Sequence, residues 1–138
     1  MPIHVRASSE LGLAVLVFEG VVTVEEWDRH VAPLVETPEY SLMPLTLVDM
    51  TAALRGDGPS DIVRRHSRRA AANIDAKIGS GSKMALVATR DEFFGLSRMY
   101  ATLREDSPVE VKVMRSLREA EQWLGLPDDY EAKLTDVV

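Results

Sequence analysis

Four aspartates, Asp49, Asp57, Asp61 and Asp91, fall near positions where strands end and helices begin, and clustered acids of this kind can hold magnesium. Asp61 and Asp91 are equally good helix-opening residues, because a carboxylate complements the positive N-terminal end of a helix, and no metal is assigned to them. His4, His30 and His66 share no metal-ligand spacing and no nucleophile in a recognisable motif, so each is expected on a surface or a helix flank. Gly79-Ser80-Gly81-Ser82-Lys83 has the composition of part of a phosphate loop. It precedes a strand, however, whereas phosphate binding needs a strand before the loop and a helix after it. Without cysteine, disulfides, thiolate catalysis and Cys-ligated zinc or iron–sulfur sites are excluded. No catalytic constellation remains, and a non-enzymatic protein without a cofactor is expected.

Two groups of residues could instead bind. The run Arg64-Arg65-His66-Ser67-Arg68-Arg69 gives an acidic protein one basic helix face, which could meet a phosphate, an acidic partner or anionic lipid. The same face could simply be solvated, with Asp61 and Asp75 spaced to pair with Arg65 and with Arg68 or Arg69. In the second group, Leu96, Met99, Tyr100 and Leu103 lie at i, i+3, i+4 and i+7 and are expected to face a sheet. Phe94 and Arg98 then fall on the opposite side, where Phe94 would line a ligand pocket or dimer surface and Arg98 would contact an anionic head or partner. Alternatively the second long helix or a loop covers Phe94, and Arg98 pairs with Glu105 or Asp91.

These residues need elements to hold them. Residues 84–88 are a fully apolar strand, followed by a two-residue turn and a helix opening at Asp91. Ile3, Val5 and Ala7 alternate with His4 and Arg6, the period of a half-exposed edge strand. Residues 13–19 are almost continuously apolar, as in a strand covered on both faces, and the short link between these two strands favours an antiparallel pair. Thr23 and Glu26 are spaced as a capping box, with Val22 and Trp27 placed as a hydrophobic staple. Trp27, Val31, Leu34 and Val35 make the apolar face of that helix, and Pro33 is expected to kink it.

Residues 45–50 are the third strand, and 52–59 a loop turning at Gly56-Asp57-Gly58-Pro59. A helix opening at Pro59 or Ser60 and running to about Ile78 presents Val63, Ser67, Ala70, Ala71, Ile74 and Ile78 on one face. Val109, Val111 and Val113 mark a fifth strand, and Ser116 with Glu119 caps a last helix carrying Leu117, Ala120, Trp123 and Leu124, stopped by Gly125. A short helix with Tyr130 and Leu134 on one side is expected in the tail.

The resulting order, β-β-α-β-α-β-α-β-α, predicts an α/β fold: a five-stranded mixed, mostly parallel sheet with four helices on its faces. At 138 residues the chain fits one domain, 1–138, with 126–138 as a C-terminal tail. Ligands are expected beyond the carboxyl ends of the strands, near 49–60 and 90–98. A formal charge of −6 argues against a nucleic-acid partner. The start has no secretory h-region and no apolar run is long enough to span a bilayer, so the expected location is cytoplasmic.

Ala85-Leu86-Val87, Phe94-Gly95 and Arg98-Met99-Tyr100, then residues 111–114, Glu119-Ala120 and Trp123-Leu124, resemble the small bacterial SpoIIAA-like proteins. These belong to the STAS superfamily and are also similar to CRAL-TRIO lipid-binding domains. The helix from Thr23 through Trp27 to Pro33, and Leu47-Val48-Asp49-Met50-Thr51, fit the same pattern more loosely. The resemblance covers roughly 13–124 and implies a STAS fold. In the anti-sigma-factor antagonists of that superfamily a Ser or Thr after the third strand is phosphorylated, within an Asp-Ser/Thr-Ser/Thr-Gly motif. This chain has Asp57-Gly58-Pro59-Ser60-Asp61 there, so Ser60 matches by location only. Ser60 and Thr51 are the candidate phosphoacceptors, with Arg64, Arg65 and Arg68 as a partner surface able to meet a phosphate.

The expectation is therefore a non-enzymatic STAS-like binding or regulatory module. A small hydrophobic or lipid-like ligand, or a protein partner, would meet an apolar cleft near Phe93, Phe94, Arg98, Trp27 and the kinked first helix. Homodimerisation is a plausible use of the same surface, and peripheral membrane contact is compatible with a lipid-like ligand. The alternative is a phospho-regulated switch of the anti-sigma-factor-antagonist type.

Overall fold

In the computed structural model, which describes residues 3–54 and 59–137, the two long apolar stretches become the inner strands of a six-stranded sheet. Strand β1 (Ile3–Ser8) and β2 (Leu13–Val21) form an antiparallel pair. Strands β2, β3 (Leu45–Leu54), β4 (Lys83–Val87) and β5 (Glu110–Met114) are parallel neighbours. A two-residue strand, β6 (Thr135–Asp136), pairs antiparallel with β1. The order across the sheet is β5-β4-β3-β2-β1-β6.

The expected mixed, mostly parallel sheet is present, with one strand more than anticipated. β1 is consequently not the edge, because β6 covers it, as Val137 N donates to Val5 O at 2.9 Å.

Because successive side chains of a strand point to opposite faces, residues 13–18 of β2 and 84–87 of β4 are continuously apolar for two reasons at once. Leu13, Val15, Leu47, Ala85 and Val87 pack on one side beneath α6 (Leu117–Leu124) and Tyr130. On the other side Phe18, Val48 and Leu86 lie beneath α1 (Val24–His30), α4 (Pro59–Asn73) and α5 (Asp91–Leu103). Each large apolar side chain taken from water in this way contributes about 1.5–3 kcal/mol.

Pro33 does not kink a single helix. α1 ends at His30, and Ala32–Val35 (α2) restarts with the proline at its second position, where a missing N–H costs nothing. A further short helix, α3 (Pro38–Ser41), also opens on proline. Of the expected 52–59 loop, residues 52–54 continue β3, while 55–58 lie outside the described residues. The extension is accommodated by a register shift, with Val17 opposite Asp49 but Glu19 opposite Ala52. The Asp49 carboxylate accepts from both Thr51 N (2.9 Å) and Thr51 Oγ1 (2.7 Å) at this bulge.

α4 stops at Asn73 rather than Ile78, and Ala71 is exposed instead of facing the sheet. Both capping boxes place the cap hydroxyl as expected. Thr23 Oγ1 accepts from Glu26 N (3.1 Å) and Ser116 Oγ from Glu119 N (3.4 Å). Gly125 closes α6 in the left-handed conformation, with φ of 68°.

Candidate functional site

Between the sheet and the helices of its second face lies a cavity of about 190 Å³. Its floor is the inward side of β2, β3 and β4: Ala14, Leu16 and Phe18, then Thr46, Val48 and Met50, then Met84 and Leu86. Trp27 and Val31, positioned by the capped start of α1, close one side. α4 contributes Ile62, Val63 and His66. The small residues Ser67 and Ala70 are buried where α4 packs against its neighbouring helices, and the short side chains of Ala14, Thr46 and Ser97 leave the space beneath unfilled. An apolar cavity of roughly this size, about 150 Å³, is known to stay dry and to admit a small aromatic molecule.

α5 enters the cavity through Phe93, Leu96, Ser97 and Tyr100, with Arg104 just past its end. This is one helical stripe, but not the expected one. Leu103 is 49% exposed, while the polar Ser97 and Arg104 are buried. The true inward phase runs 93, 96, 97, 100, 104, with two polar residues where an apolar stripe was anticipated. The cavity therefore lies in the layer between sheet and helices.

A row of rings crosses the cavity wall. Phe18 meets Trp27 edge to face at 5.9 Å between centroids, Trp27 meets His66 at 4.8 Å, and His66 meets Tyr100 at 5.4 Å. His66 is thus no surface histidine. Burial, reinforced by the charges of Arg104 and Arg69, lowers its pKa to about 4, so the ring is neutral at neutral pH. Its Nδ1 is shut from solvent with no hydrogen-bond partner, a condition that costs about 1–3 kcal/mol. Burial likewise pushes the Tyr100 hydroxyl up to about 12.

Arg104, with only 4% of its side chain exposed, is fully engaged. Nη1 donates to Asp75 Oδ2 at 2.8 Å, and Nη2 donates to Asp75 Oδ1 and to Ser107 Oγ. Ser107 Oγ also donates to Asp75 Oδ1 (2.9 Å) and accepts from Val109 N (3.1 Å). Burial alone would raise the Asp75 carboxyl, but the hydrogen bonds from Arg104 and Ser107 outweigh it and hold the group below its usual range. The pairing of Asp75 with Arg68 or Arg69 anticipated from spacing is therefore not formed.

Of the anticipated ligand-binding residues, Trp27 and Phe93 line the cavity and Phe94 and Arg98 do not. The guanidinium of Arg115 lies 3.9 Å from the centre of the Phe94 ring. Arg115 also pairs with Asp91 (2.8 Å) and donates to Thr89 O (3.0 Å). Arg98 is exposed. On α4 the basic face is partly committed, with Arg65 bound to Asp28 at 2.8 Å, Arg64 to Asp61 at 3.5 Å and Arg69 to Glu36 at 3.6 Å, while Arg68 is exposed. Ser60 stands in the first turn of α4, half-buried, and the Thr51 hydroxyl is held by Asp49. Among the described residues no cluster of three or more histidine and acidic side chains could hold a metal, and Asp57 lies outside them.

His66 and Arg104 were missed as site residues. Their signal was helical phase: His66 falls between Val63 and Ala70 on the inward face of α4, and Arg104 continues the 93–97–100 series.

The molecule is similar in fold to the crystal structure of an uncharacterised DUF3478-family protein with a SpoIIAA-like fold from Shewanella loihica PV-4. The TM-score is 0.56, with 16% identity over 88% of this chain and 91% of that one. It is also similar to an anti-sigma factor antagonist from Mycobacterium paratuberculosis, with a TM-score of 0.54 and 15% identity over 89% and 92% of the two chains. No protein-family model matches the sequence, and no curated protein matches it. No helix among the described residues is long and apolar enough to cross a membrane.

Proposed function

We propose, from the SpoIIAA-like fold and the half-open apolar cavity between its sheet and helices, that this chain is a non-enzymatic regulatory module whose cavity takes a small hydrophobic ligand. The observation that carries this reading is the cavity of about 190 Å³, walled by Phe18, Trp27, Val48, Leu86, Phe93 and Tyr100. A void of that size forfeits packing contacts along its whole lining, and a bound apolar molecule restores them. The polar groups around it are poorly suited to chemistry: Arg104 and Asp75 satisfy each other, and the one acidic ring contact of His66, the Tyr100 hydroxyl, is pushed by burial up to about 12. In this reading the protein is cytoplasmic, and ligand occupancy sets how its surface meets a protein partner or a second copy.

The test is native mass spectrometry of the freshly purified protein, with solvent extraction of any bound molecule, on wild type and Ala14→Leu. The substitution adds bulk to the cavity floor. A ligand mass present in wild type and lost in the variant is the expected result. Wild type free of ligand, and unresponsive to added apolar molecules, would remove the reading.

A second reading is supported by the likeness to the Mycobacterium paratuberculosis antagonist and by the position of Ser60 at the start of a fifteen-residue helix with Arg64 one turn on. There Ser60, or less readily the hydrogen-bonded Thr51, would accept a phosphoryl group from a partner kinase. Co-expression with a candidate serine kinase and phosphopeptide mapping decides it, and phosphate found only at other residues rejects it.

A further inference from the structure

The cavity has one polar group that its own walls leave unanswered. His66 projects from α4 into a largely apolar lining, packed edge-on to Trp27 and tilted against Tyr100, and its buried Nδ1 has no hydrogen-bond partner. Of the two described cations whose charge reaches it, Arg104 is already neutralised through two hydrogen bonds to Asp75 and a third to Ser107, and Arg69 is paired with Glu36 at 3.6 Å. We propose that the occupant of this cavity is an uncharged amphiphile, an apolar body bearing a single hydroxyl or carbonyl group, seated with that group against the imidazole of His66. This deepens the reading of the cavity as a ligand site and rests on it.

The chemistry follows from what each candidate ligand would meet. A carboxylate brought here would be stripped of water, would find Arg104 already paired and Lys83 turned to Trp123, and would approach the negative Asp75 behind Arg104. A pure hydrocarbon would fill the space but leave the imidazole nitrogen orphaned. A neutral imidazole offers one donor and one acceptor nitrogen, so an alcohol can answer either and a carbonyl can answer the donor. The neutral form is the one present at neutral pH, since burial holds the group down to about 4. A turn of the ring about its Cβ–Cγ bond presents the enclosed nitrogen to the cavity, and the edge contact with Trp27 would report that turn.

The experiment compares hexanol, hexanoate and hexane by calorimetry on the full chain at neutral pH, in wild type and His66→Phe. Hexanol should bind roughly tenfold more tightly than either alternative, the worth of one hydrogen bond made in an apolar site. In the variant, that advantage over hexane should vanish while hexane still binds. Hexanoate binding as tightly as hexanol, or an advantage that survives His66→Phe, overturns the proposal. Should the variant fail to fold, the ¹⁵N shifts of the wild-type imidazole decide. Movement with hexanol and none with hexane supports the assignment, and equal behaviour defeats it. Hexane binding without any preference for hexanol removes this proposal alone, whereas failure of all three probes removes the cavity reading with it.

Discussion

The imidazole of His66 stands edge-on to the indole of Trp27, with centroids 4.8 Å apart and ring planes at 89°. The contact joins α1 to α4 and requires an uncharged imidazole, because a protonated one would sit in the apolar wall beside Arg104 and Arg69. The folded-state pKa is lowered from 6.5 to about 4, so between those values the unfolded chain holds a proton that the folded protein lacks. Stability from this residue is therefore complete above about pH 6.5 and is lost as pH falls toward about 4, by up to about 3 kcal/mol. Urea unfolding across that range should show the decline, and His66→Phe should flatten it.

Arg104 and Asp75 should behave as a unit. Arg104→Met leaves the Asp75 carboxylate without its main partner and should cost about 3 kcal/mol by urea denaturation. Combining it with Asp75→Leu removes the stranded charge, so the double variant should be more stable than the sum of the two single losses. Additive losses would show that the pair is not coupled.

Phe93 and Phe94 are neighbours with different tasks. Phe93→Ala opens the cavity wall and should weaken binding of an apolar probe by roughly tenfold. Phe94→Ala should leave binding unchanged and cost about 1 kcal/mol of stability, from the loss of its contact with Arg115. Calorimetry with hexane and thermal unfolding separate the two, and sedimentation of the Phe94 variant shows whether its surface supports a second copy.

Gly12 sits in the turn between β1 and β2 with φ of 63°, and a Cβ there would lie 2.8 Å from Pro44 Cγ. Gly12→Ala combines a disfavoured backbone with a clash against a rigid ring. It should cost about 2 kcal/mol in thermal or chemical unfolding.

Much of the architecture was readable from local pattern. The apolar runs of β2 and β4, the two capping boxes and the stop at Gly125 all act within a few residues, and each appears where spacing placed it. What escaped depended on partners far along the chain. The end of β3 has only Ala53 buried, and its pairing rests on a bulge invisible in sequence. Strand β6, at two residues, has no period to read. The inward phase of α5 was misjudged because Leu103 was taken as inward; it is exposed, whereas Ser97 faces the sulfur of Met50 and Arg104 is buried on Asp75. The floor and sides of the cavity belong to residues that were anticipated as core. Its polar centre was not, since the surrounding arginine run outweighed the helical phase that places His66 between Val63 and Ala70.

Strand β6 also bears on the order in which this molecule assembles. The bond from Thr135 to Ala7 spans 128 residues, so forming it early would require closing nearly the whole chain into a loop for the sake of a two-residue pairing. β6, a two-residue strand at the sheet edge, is expected to dock late and to leave early. Amide exchange should be fastest at Val137 and on the outer side of β1. Whenever the clasp opens, β1 presents a bare template to which another extended segment can add.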